Sequence, residues 1–246
     1  MMGQAVGQQD RLFIGCSVSS ISKNAFPPIT CYARAHSLLA WTHFFEFLIS
    51  TSVDPRASLR EAMDAGQRAV QLDDADAHAH AVLSVALCFA RRFDTAMAEA
   101  ERAVAFNPNL AFAVSARGSV RSFSGQPEEG ADDCRRAIRL SPRDPSTFAF
   151  LSVLAICEYT SRDYASAAET AWKFTALKPD YIFGHWHVAG SCAQLGQMDR
   201  AREALGEVMR LNPNFDRSFM ETTAPFMDTA DLEYMINGMR KAGWEG

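Results

Sequence analysis

The stretch RAVAFNPN at residues 102–109 decides the fold, because the chain says it repeatedly. RAIRLSPR stands at 136–143 and EVMRLNPN at 207–214; a looser copy, FTALKPD, occupies 174–180, and RAVQLDDA occupies 68–75. Aligned on the apolar residue two before the proline, the copies give Leu72, Phe106, Leu140, Leu177 and Leu211, spaced by 34, 34, 37 and 34 residues. Pro108, Pro142, Pro179 and Pro213 keep step, with Asp74 in the first slot.

A fixed period of this size implies a stacked array, since one such unit cannot bury its apolar face alone. Each period divides into two helical patterns. The first helices are predicted over 77–90, 111–123, 146–159 and 182–195, the second over 94–106, 127–140, 164–177 and 198–211. Ala201, Leu205, Val208 and Leu211 form one apolar stripe at three- and four-residue steps, with Arg202, Glu203 and Arg210 elsewhere. GQPEE at 125–129 and GQMDR at 196–200 fall at the same place in two repeats. There glycine can close the first helix in a left-handed conformation and Pro127 can open the second. The phased prolines end the second helices because proline lacks a backbone donor.

Paired helices with this period resemble the tetratricopeptide repeat (TPR). Small residues stand where two such helices must approach: Ala96 and Ala103, then Gly118, Gly130 and Ala137, then Ala201 with Val208. Arg117 and Arg121 depart from the family's large apolar choice, so that repeat is expected to pack loosely or to lie in another register. The three extra residues of the 37-residue unit are expected around CEYTSRD at 157–163, lengthening the first helix or its turn. An earlier pair is read at 32–47 and 57–72, and DTADLEYMINGMRKAG at 228–243 as a capping helix. The expected fold is therefore all-α, a superhelical solenoid of about five antiparallel helix pairs plus a C-terminal capping helix. Residues 1–30 form a lead-in segment, 31–213 the repeats, and 214–246 the cap and tail.

YARAHSLLAWTHF, AVQLDDADAHAHAVLSVAL, LSPRDPSTFAFLS, REALGEVMRLNPNF and ADLEYMINGMRKAG together are similar to the C-terminal TPR region of bacterial class III adenylate/guanylate cyclases and related winged-helix regulators. Residues 1–30 resemble neither a cyclase catalytic domain nor a winged helix, so no catalytic residue carries over. The resemblance implies a detached regulatory or oligomerisation module acting in trans.

Composition narrows the remaining classes. With 24 basic against 29 acidic residues the net charge is −5, which offers no concentrated basic face for nucleic acid. The run LLAWTHFFEFLI at 38–49 is too short for a bilayer and reads as a buried helix. FIGC at 13–16 lacks the basic and apolar stretches that a lipoprotein signal needs. Six scattered cysteines without a C-x-x-C pair suit buried thiols in a reducing cytoplasm. HAH at 78–80 and HWH at 185–187 place histidines two apart, on different helix faces, so neither a metal site nor a cofactor is expected. Asp132–Asp133, Glu128–Glu129 and the Arg-Arg pairs at 91–92 and 135–136 read as solvated surface. No nucleophile motif or phosphate loop is present, so no catalytic residue is assigned.

The candidate site is the concave face lined by the first helices. Its residues are read as His78, Ala81, Val85 and Phe89; Phe112, Ser115, Ser119 and Phe123; Ala149, Val153 and Ile156; and Phe183, Trp186, Gly190 and Gln194. Phe89, Phe112, Phe123, Phe183 and Trp186 are the expected anchors, since interfaces favour aromatic side chains in desolvated pockets. The reading is a non-enzymatic scaffold that takes a peptide or helix of a protein partner, with self-association a further option. No lysine lies in any first helix, which argues against clamping acidic chaperone tails.

Overall fold

The computed structural model describes residues 32–48, 52 and 54–246. The lead-in at 1–30, with FIGC, lies outside them. The described residues form twelve helices. Ten make five antiparallel pairs: α1 (Ala33–Leu48) with α2 (Pro55–Leu72), α3 (Ala77–Phe89) with α4 (Phe93–Phe106), α5 (Ala111–Phe123) with α6 (Pro127–Leu140), α7 (Thr147–Thr160) with α8 (Tyr164–Leu177), and α9 (Ile182–Gln194) with α10 (Met198–Leu211). The fold is an all-α TPR solenoid.

The repeated phrase is a stop-and-turn signal. Asn107 leaves the helical conformation after α4, and its side chain accepts the amide of Asn109 at 3.1 Å. Asn212 does the same for Asn214, while Asp73 and Asp144 accept the amides two residues on in their own repeats. The carboxamide or carboxylate thus completes a local turn where the helix ends. Aspartates also start helices: Asp76 accepts from His78 and Ala79, and Asp54, Asp163, Asp216 and Asp228 cap in the same way.

Within the four later pairs, the turn between helices is closed by a left-handed residue. Gly125 (φ 86°) and Gly196 (φ 74°) fill two of these positions, as the sequence predicts. Arg91 (φ 60°) and Arg162 (φ 67°) fill the other two, where a side chain costs conformational energy that glycine avoids. Because these turns keep one length, the 37-residue unit does not carry its extra residues at 157–163. Two lie in the 141–146 connection and one lengthens α7, where a loop between repeats can absorb them without altering how a pair crosses.

The small residues act at backbone contacts. A Cβ on Gly118 would stand 2.9 Å from the Gly130 carbonyl oxygen, and one on Gly130 equally close to that of Gly118, so α5 and α6 touch backbone to backbone. The repeat containing Arg117 and Arg121 keeps the common register. Arg117 forks onto buried Asp133 at 2.6 and 2.8 Å, and Arg121 joins at 2.8 Å. Asp133 is therefore no solvated surface acid, because two guanidinium groups replace its water. Arg135 likewise binds buried Glu158 at 3.0 Å, which also accepts from Thr170.

After α10 the chain does more than cover the last pair. Two helices follow, α11 (Arg217–Thr223), which the sequence reading did not anticipate, and α12 (Thr229–Ala242). Phe215 packs on Trp186 and Trp244, and Phe219 on Phe183. The 224–228 connection then reaches Phe123 on α5. α12 returns along α9, with Gly238 pressed so closely on the Tyr159 hydroxyl that a Cβ has no room.

Candidate functional site

Helices α1, α3, α5, α7 and α9 surround a cavity of about 100 Å³. Its wall includes Trp41, Phe45 and Leu48 from α1, Val85 and Phe89 from α3, and Phe112, Ser115, Ser119 and Phe123 from α5. Phe148, Ser152, Val153 and Ile156 continue it on α7, followed by Tyr181, Phe183 and, from α11, Thr223. The lining is almost wholly apolar, and its polar groups are hydroxyls. Lys178 and Asp180 stand at an adjoining, wetter opening beside Phe45 and Phe219.

Of the sequence-predicted site residues, Val85, Phe89, Phe112, Ser115, Ser119, Phe123, Ala149, Val153, Ile156 and Phe183 meet on this wall, whereas His78, Ala81, Trp186, Gly190 and Gln194 do not. His78 joins two pairs: its ring nitrogen lies 2.6 Å from the Ser37 hydroxyl, and its ring stacks at a tilt on Phe112. Burial lowers its pKa to about 4, with Arg34 adding to the effect, so the ring is neutral at pH 7. Trp186 is only 2% exposed, because Phe183, Phe215 and Phe219 enclose it. It is a core residue sealed by the C-terminal segment rather than an anchor open to a partner. Gln194 donates to the Tyr159 hydroxyl at 3.1 Å and accepts from Lys241 at 2.6 Å, which commits both ends of its amide within the chain.

The remaining paired histidines also have protein partners. His80 is buried against Glu99 at 2.5 Å and the Asp74 carbonyl at 2.9 Å. Burial opposes its charged form, but these hydrogen bonds outweigh it and hold the pKa above the ordinary imidazole value. His187 is buried beside Trp186, and burial lowers its pKa to about 3. His185 bonds the Pro179 carbonyl.

An aromatic series crosses the site. Phe44 and Phe47 meet Phe89 edge-on at 5.2 and 5.8 Å, Phe89 meets Phe123 at 5.6 Å, and Phe123 meets Phe226 at 5.1 Å. Such edge-to-face pairs hold rings in fixed relative orientations. The sequence reading missed the α1 contribution because the continuous apolar run at 38–49 shows no face of its own. It also missed Phe148 and Tyr181, which lie at or just before helix starts. The Tyr181 hydroxyl is buried and has no hydrogen-bond partner among the described residues.

This architecture and this concave apolar lumen define a TPR-type array. In fold the chain is similar to PilW, a widely conserved type IV pilus biogenesis factor, with a TM-score of 0.62 and 14% identity over 85% of this chain and 88% of that one. Pseudomonas aeruginosa PilF gives 0.60 and 16% over 86% and 88%. YrrB, a TPR protein with an unusual peptide-binding site, gives 0.50 and 15% over 73% and 91%. At these identities the likeness is one of fold. No protein-family model matches the sequence, and no curated protein matches it. Among the described residues no helix is long and apolar enough to cross a membrane.

Proposed function

We propose that the chain is a non-enzymatic protein-interaction scaffold whose concave groove takes a peptide or helix of a protein partner. The observation that carries this reading is the aromatic lumen, where Phe112 and Phe148 remain partly exposed on an almost wholly apolar wall. Aromatic side chains in such a recess are the anchors that protein interfaces favour. YrrB, a TPR protein with a peptide-binding site, supports the same use of the fold. Among the described residues, Cys88, Cys134, Cys157 and Cys192 are buried free thiols, which suits a reducing cytoplasm.

Screening the full chain against a peptide library and repeating the binding with Phe112→Ala tests the reading. A true anchor loses about 2 kcal/mol or more, roughly 30-fold in affinity. Equal affinity for both proteins would remove the lumen from the binding surface. The resemblance to cyclase-associated arrays supports a second reading, a regulatory module acting in trans. It requires that the chain be inactive alone and change the activity of an added cyclase domain.

A further inference from the structure

The 224–228 segment lies against Phe123 at the edge of the groove, as a ligand would. The Phe226 amide donates to the Ala224 carbonyl at 2.9 Å, a tight turn centred on Pro225 that directs the Phe226 ring against Phe123. Phe226 is 1% exposed. Its carbonyl accepts from the Arg91 guanidinium at 2.6 Å, and the Met227 amide donates to the Phe123 carbonyl at 2.7 Å. The latter is one of the carbonyls that the end of α5 leaves without a helical partner. Both polar groups of the single peptide unit that follows the buried Phe226 are thus read by the array, and Thr223 lines the adjacent cavity. Repeat stacking does not require this contact, since Gly125 and Gly196 make the same turn as Arg91 with no side chain at all.

We propose that 224–228 is an internal ligand held in a peptide-recognition site of the groove. The site takes a non-helical segment in which an aromatic residue directly follows proline, and a partner peptide with that chemistry displaces the chain's own copy. This rests on the groove reading and deepens it by naming what the groove recognises and what blocks it. Arg91 reads a main-chain carbonyl and so fixes the register of the segment, while burial of the ring against Phe123 supplies most of the affinity.

The test uses a fluorescent peptide copying 221–231, ETTAPFMDTAD, titrated against the full chain, Phe226→Ala and Phe226→Ala/Arg91→Gly. The proposal expects at least tenfold tighter binding by Phe226→Ala than by the unaltered chain, because the site is vacated but intact. The double variant should lose that gain, as should a peptide with alanine for its phenylalanine. Equal binding by the unaltered chain and Phe226→Ala overturns the proposal, as does a gain that survives in the double variant. If Phe226→Ala does not fold, amide exchange of Arg91→Gly decides. Met227 should then exchange at least tenfold faster while α5 amides keep their protection, and unchanged Met227 exchange overturns the proposal. No foreign partner enters these measurements. Their failure would therefore leave peptide binding at Phe112 open, whereas failure of the library screen alone would leave this result standing.

Discussion

Gly125 and Gly196 make two of the helix-to-helix turns, and Arg91 and Arg162 make two others with the same backbone handedness. Beyond the glycines there is open space. Both arginines, by contrast, reach the C-terminal segment: Arg91 binds the Phe226 carbonyl, and the Arg162 guanidinium lies 3.0 Å over the Tyr234 ring. The repeat asks only for a left-handed residue. Arginine answers a second demand, that of a segment outside the repeats, at a backbone cost of about 1 kcal/mol.

Several substitutions would break or sharpen this contrast. Phe226→Ala should have the largest effect, about 3–5 kcal/mol in denaturant unfolding, because it empties a fully buried aromatic site. A loss below about 1 kcal/mol would mean that the segment adds little for the arginines to hold. Arg91→Ala keeps the left-handed backbone and removes the charged hydrogen bond from a partly exposed position, so a loss of about 1–1.5 kcal/mol is expected. Arg91→Gly should lose about 1 kcal/mol less than Arg91→Ala; equal losses would place the backbone at 91 outside the left-handed region. Gly125→Ala should cost about 1 kcal/mol from conformation alone, since nothing stands within 4 Å of the new methyl. Arg162→Gly should change stability least, within about 0.5 kcal/mol. It gives up an exposed cation–π contact worth about 0.5–1 kcal/mol but relieves the backbone by a similar amount. Thermal melts of the last two variants would show whether the two kinds of turn differ by contact or by conformation.

Most of the solenoid was legible because its signals are local and repeated. Predicted and observed second helices coincide at 127–140, 164–177 and 198–211, where proline and the apolar stripe fix both ends. Short features with no periodicity were not legible. The seven residues of α11 give too few turns for a face to show, and arginine carries no sign that its backbone is left-handed. Asp133 reads as a surface acid until Arg117 and Arg121 are seen to converge on it from the facing helix. Trp186 does occupy an inward position of a first helix, as its register implies. What hides it is Phe215 and Phe219, which arrive from a different part of the chain.

Arrays of this kind gather nearly all their contacts from adjacent repeats, so units can fold and fray one by one. The bond between Arg91 and Phe226 spans 135 residues of sequence. It ties the second helix pair to the tail and converts a linear stack into a closed loop. The earlier pairs can form as the chain leaves the ribosome, but the loop cannot close until the last segment has emerged. Once it is closed, opening of the C-terminal end also releases the contact at Arg91, so melting of the tail is coupled to the second pair, and cutting the chain after Leu211 would remove that coupling.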